Sequence, residues 1–110
     1  MSYDVFFVAD TVGGNTVEVG SSLNYTYNCS AMFRKALGRS GIHELHKKTA
    51  ADVLPLLRVA VSHISDPDNI DEYTALNPIS GWGDYTGAKK FLEDILLNAA
   101  AYPEATIIVS

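Results

Sequence analysis

Only one cysteine, Cys29, occurs in the 110 residues, so no intrachain disulfide can form and a small secreted scaffold held by disulfides is excluded. Positive charge is also scarce. Eight Lys and Arg stand against 13 Asp and Glu, and the net charge of −5 opposes nonspecific attraction to phosphate backbones or anionic bilayers. Neither nucleic acid nor membrane is therefore expected as a partner. No apolar run approaches the roughly 20 residues that span a bilayer. No charged-then-apolar leader precedes Asp4, and with the lone cysteine this leads us to expect a cytoplasmic protein.

What is present is 47% hydrophobic, enough for one compact domain over residues 1–110 with a modest core. Tyr3 to Ala9 is aromatic, β-branched or small without a breaker and reads as a buried strand. Gly13-Gly14-Asn15 turns it into a hairpin with Thr16 to Val19, and Gly20-Ser21-Ser22 then closes that unit. Leu23 to Tyr27 is a third extended piece. Asn28 or Ser30 caps a helix carrying Met32, Phe33, Ala36 and Leu37 on one face and ended by Gly38.

Thr49 and Asp52 form a capping-box pattern before a helical stripe of Val53, Leu57, Ala60, Val61 and Ile64, with Pro55 disturbing the first turn. Ile70 to Leu76 allows one or two further turns. Asp84 caps the clearest helix, whose stripe is Ala88, Phe91, Leu92, Ile95, Leu96 and Ala99, and Ala105 to Val109 is a closing strand. The order predicts an α+β fold. We expect about four strands in a small, mostly antiparallel sheet with three or four helices on one face.

Two segments carry the candidate site. Asn24-Tyr25-Thr26-Tyr27-Asn28 alternates, so two amides and a hydroxyl share one side of an extended chain, where they suit a polar ligand without ionisable groups. The second segment, Asn77-Pro78-Ile79-Ser80-Gly81-Trp82-Gly83-Asp84-Tyr85-Thr86-Gly87, holds the only tryptophan and three of the eight glycines. Gly81 and Gly83 permit positive φ or close approach, while Trp82 and Tyr85 offer rings for stacking. The loop reads equally as a tight packing joint. Both segments lead into helices, and their N–H groups together with Arg34 in the first helix would suit an anion such as phosphate.

Other chemistry lacks its pattern. His43 and His46 stand three apart, whereas the metalloprotease helix needs a spacing of four, and His63 is the only other histidine, so no metal site is expected. Asp66 to Glu72 lacks the ligand spacing of an EF-hand. Gly81-Trp82-Gly83 lacks the full dinucleotide glycine pattern and the P-loop lysine. Cys29 reads as a buried thiol. No catalytic residue and no cofactor are assigned.

From Leu23 to Ser110 the chain resembles small uncharacterised proteins of bacteria and their phages that carry Asn-x-Thr-x-Asn and Asn-Pro-x-x-Gly-Trp-Gly-x-Tyr-x-Gly motifs. It departs from them at Ile79-Ser80, where an acidic or polar pair is expected. The resemblance implies a bacterial origin, with a phage or prophage gene as one possibility, and no particular activity. The expected function is a non-enzymatic binding module for a small polar or anionic, nucleotide-like ligand held by Asn24, Thr26, Asn28, Arg34, Gly81, Trp82, Gly83 and Tyr85. The alternative is a protein interaction or inhibitor module anchored by Trp82 and Tyr85. Self-association through a sheet edge or helix face is compatible with either.

Overall fold

A computed structural model describes residues 2–110. The elements are β1 (Ser2–Asp10), β2 (Thr16–Thr26), α1 (Ser30–Leu37), α2 (Ala50–Ser65), α3 (Ile70–Thr74), α4 (Tyr85–Ala101) and β3 (Thr106–Val109). The expected α+β fold is present. The sheet is antiparallel in the order β2-β1-β3, so it has three strands rather than four.

The difference lies at Gly20-Ser21-Ser22, which does not close a hairpin unit but stays inside one long strand. Phe7 pairs with Val19 and Val5 with Leu23, so β2 spends two more residues than β1 across the irregularity. An even insertion preserves the alternation of faces, and Val19 and Leu23 both pack against the core. Gly20 takes a φ of 69°, and a side chain there would collide with Asn98. The Asn98 amide uses both ends on this bulge, accepting from Ser21 N at 3.3 Å and donating to Ser21 O at 3.3 Å. Helix α4 is thereby fastened to the middle of β2.

Period-two alternation divides β1 cleanly. Tyr3, Val5 and Phe7 are buried with Ile107 and Val109 of β3. They meet Phe33 of α1, Leu57 and Ile64 of α2, and Leu92 and Ile95 of α4 in one contiguous core. Burying each large apolar side chain contributes about 1.5–3 kcal/mol, so this cluster supplies the main drive to fold. The intervening residues Ser2, Asp4, Phe6 and Val8 belong to the opposite face.

The outer side of β3 is covered. Lys47 N donates to Ile107 O at 2.7 Å, Ile107 N donates to Lys48 O at 2.8 Å, and Val109 N donates to His46 Nδ1 at 3.0 Å. The first N–H groups of α2 find acceptors in the same region, Ala50 N on Ala105 O and Ala51 N on Pro103 O, both at 2.8 Å. Thr49 makes no side-chain cap; only its carbonyl accepts, from Asp52 N at 2.9 Å, so the expected capping box is not formed. Pro55 sits inside the helix on its exposed side. Edge strand β2 keeps an outer side with no strand beside it among the described residues.

Candidate functional site

The end of β2 and the loop before α4 meet. Leu23 and Tyr25 face the core, which turns Asn24 and Thr26 to the other side of the sheet beside their cross-strand partners Asp4 and Ser2. The chain leaves the strand at Thr26, whose hydroxyl accepts from Asn28 N at 3.2 Å and caps a 3₁₀ turn over Tyr27–Cys29. Asn28 nevertheless reaches the same cleft as Asn24 and Thr26. Ser2, Asn24, Thr26, Asn28 and Trp82 line an open cleft of about 520 Å³.

The glycines of the loop have separate jobs. Gly83 takes a φ of 89°, and a methyl group there would lie 2.5 Å from Thr26 Cγ2 and 2.9 Å from Cys29 Sγ. Gly87 has no room for a methyl group under the Tyr25 ring. Gly81 takes a φ of 76° with open space around it, so only its backbone angle requires glycine. The Tyr25 hydroxyl accepts from Asp84 N at 3.0 Å and donates to Asp84 O at 3.2 Å, and its ring stacks on Phe91 at 5.5 Å. The loop is thus a packing joint at Gly83 and Gly87. It also carries a free ring, because Trp82 is 72% exposed.

Hydrogen bonding fixes what the cleft presents. Asn24 Nδ2 donates toward Asp4 Oδ1 at 2.7 Å, Ser2 Oγ at 3.0 Å and Tyr3 O at 3.1 Å. A carbonyl and a carboxylate only accept, so the nitrogen of Asn24 is identified, and its oxygen has no hydrogen-bond partner among the described residues. Asn28 Nδ2 lies 3.3 Å from Ser80 Oγ, which also accepts from Trp82 N at 3.3 Å. Ser80 therefore ties the Asn28 side chain to the tryptophan backbone.

The N–H groups at the start of α4 are largely taken up within the protein. At α4, Gly87 N donates to Asp84 Oδ1 at 2.8 Å, Tyr85 N to Asn77 Oδ1 at 2.8 Å and Ala88 N to Asp84 O at 2.9 Å. The Asp84 carboxylate occupies the place an anion would take. At α1, Ser30 N is bonded to Tyr27 O.

Of the residues expected to act together, Asn24, Thr26, Asn28 and Trp82 line the cleft, and Gly81 and Gly83 flank Trp82. Tyr85 and Arg34 are elsewhere. The Tyr85 hydroxyl donates to Ile64 O at 2.5 Å and its ring leans on Tyr73 with centroids 6.2 Å apart, so it packs toward α2. Arg34 is exposed on α1 beside Gly41. Ser2, Asp4 and Ser80 were missed. For Ser2 and Asp4 the signal lay in strand register, since Ser2 opposes Thr26 and Asp4 opposes Asn24 only once β2 is read as one bulged strand; Ser80 sits in the loop and carried no such signal.

Cys29 is fully buried between the Tyr25 hydroxyl and Asp84 O, and burial pushes both the thiol and the Tyr25 phenol above their ordinary ranges. A thiol so placed is a poor nucleophile. The histidines do not converge: His46 holds Val109 N, His43 meets the edge of Tyr3 at 5.7 Å, and His63 Nδ1 lies 2.6 Å from the Tyr73 hydroxyl. Among the described residues no three His, Cys, Asp or Glu side chains gather as metal ligands, and no helix is long and apolar enough to cross a membrane. Comparison with family models, curated proteins and solved structures found no match, so the site is read from its geometry alone.

Proposed function

We propose that the protein is a cytoplasmic, non-enzymatic binding module whose site is the cleft between the Asn24–Asn28 segment and the Gly81–Gly83 loop. The observation that carries this reading is the meeting of Asn24, Thr26 and Asn28 with the exposed ring of Trp82 in one open cleft, although Thr26 and Trp82 lie far apart in sequence. A tryptophan kept out of the core beside amide and hydroxyl groups suits a ligand with one flat or apolar face and several polar atoms. The arrangement favours the polar over the anionic half of the expected ligand class, because Asp84 already occupies the α4 N-terminus. A thermal-shift screen of small polar compounds tests the proposal. A true ligand at about 100 times its Kd stabilises the fold by about 2.7 kcal/mol, and Trp82→Ala removes the shift while leaving the unliganded melting temperature in place. No stabilising compound, or an equal shift in Trp82→Ala, rejects it.

A second reading has one observation in its favour. Ile79 is fully exposed on the same loop as Trp82, and such a pair could anchor a protein partner. In that case Trp82→Ala and Ile79→Ser each abolish capture of the partner without changing the fold, and no small molecule protects the protein.

A further inference from the structure

We infer that the cleft takes a cationic group, a guanidinium or an ammonium, carried on an otherwise polar ligand; this rests on the reading of the cleft as the binding site. Three features select that charge. The Asn24 amide spends its N–H groups on Ser2, Tyr3 and Asp4, which leaves its oxygen without a partner among the described residues. The carboxylate of Asp4 lies 2.7 Å from Nδ2 of the cleft-lining Asn24. The π-face of Trp82, 72% exposed, forms a third element that attracts cations and repels anions. An amide acceptor and an indole in one opening, with a carboxylate next to the amide, make up the usual chemistry for recognising a positive group.

The nearest cations are accounted for: Lys90 shares a depression with Asn24 on the α4 side, and Arg34 on α1 acts on the Tyr3 phenol. Lys47 and Lys48 lie along β3 at the far edge of the sheet, and Lys90 is engaged with Asp94 at 2.9 Å. The cation has two sources of the same chemistry. It is either a free small molecule or an Arg or Lys side chain of an extended segment lying along the unpaired outer side of β2, next to Asn24 and Thr26.

Trp82 is the only tryptophan, so its emission reports on the cleft without labels. The full chain is titrated with N-acetylarginine amide, with N-acetylcitrulline amide, which has nearly the same shape without the charge, and with inorganic phosphate. The expected result is a Trp82 response to the arginine compound at about tenfold lower concentration than to the citrulline one, from carboxylate attraction and cation–π contact together. That gap narrows in Asp4→Asn and at high salt. A short extended peptide with a central arginine then assigns the source. Tighter binding than the capped amino acid points to a chain on β2, and equal binding points to a free small cation.

Equal responses to arginine and citrulline overturn the cation while leaving the cleft reading intact, as does a response to phosphate alone. Silence from every probe, with circular dichroism showing an intact fold, also overturns it. The wider thermal-shift screen then decides on the cleft itself. Asp4→Asn keeps the backbone pairing with Ser110 at 3.0 and 2.8 Å, and its amide oxygen can still accept from Asn24 Nδ2.

Discussion

Replacing Gly83 by Ala should cost far more than replacing Gly81 by Ala, although the two glycines flank the same tryptophan. Both hold left-handed backbone, with φ of 89° and 76°, so each substitution carries a conformational cost of about 1–2 kcal/mol. Gly81 has nothing within 4 Å of the new methyl, and the cost stops there. At Gly83 the methyl would meet Thr26 Cγ2 at 2.5 Å and Cys29 Sγ at 2.9 Å. Those atoms belong to a strand end and to a buried thiol, not to mobile side-chain tips, so overpacking adds about 1–3 kcal/mol. The expected totals are about 1–2 kcal/mol for Gly81→Ala and about 2–5 kcal/mol for Gly83→Ala, read by urea unfolding followed with far-ultraviolet circular dichroism. Equal losses in the two variants would refute the claim that the loop is seated on the Thr26–Cys29 turn.

The remaining predictions concern the frame around the cleft. Burial, with smaller contributions from Glu72 and Tyr85, raises the Tyr73 phenol to about 12. Its folded pKa lies above the ordinary value of 10.0, so its contribution is complete below pH 10.0 and is lost as pH rises toward about 12; a loss of about 2–3 kcal/mol is expected there, smaller in Tyr73→Phe. Asn98→Ala removes both bonds to Ser21 and should cost about 1–2 kcal/mol, measured by urea unfolding, while Asn98→Asp keeps only the acceptor and falls between. Cys29, fully buried with its thiol pushed up by burial, should resist thiol reagents in the native state and react on unfolding; fast native reaction would contradict the packing described here.

The elements were legible where one local rule governed them. Alternation set the faces of β1, the apolar stripe set α4, and Asp84 caps that helix as its position suggested. The strand count was not legible. Glycine with positive φ both ends strands and bulges them, and what keeps Gly20 inside β2 is the Asn98 amide from a helix far along the chain. Half of the site could be read from alternation, since Asn24 and Thr26 must share a face. The direction of Tyr85 could not, because the first residue of a helix points where packing sends it, and here Ile64 O supplies the partner. Nor does any local pattern fix whether a lone tryptophan is core or surface. That depended on Tyr25, not Trp82, filling the space above Gly87.

The loop's two roles are thus divided among its residues: Gly83, Asp84 and Gly87 hold it to the body of the protein, which leaves Trp82 free over the polar row. The most direct test of the binding role is backbone and indole N–H NMR of the full chain against a library of small polar fragments. Hits are expected to move the resonances of Ser2, Asn24, Thr26, Asn28 and the Trp82 indole together. Hits that cluster instead on the α2 surface around Arg58, Ser62 and His63, or a library that moves nothing, would contradict that role.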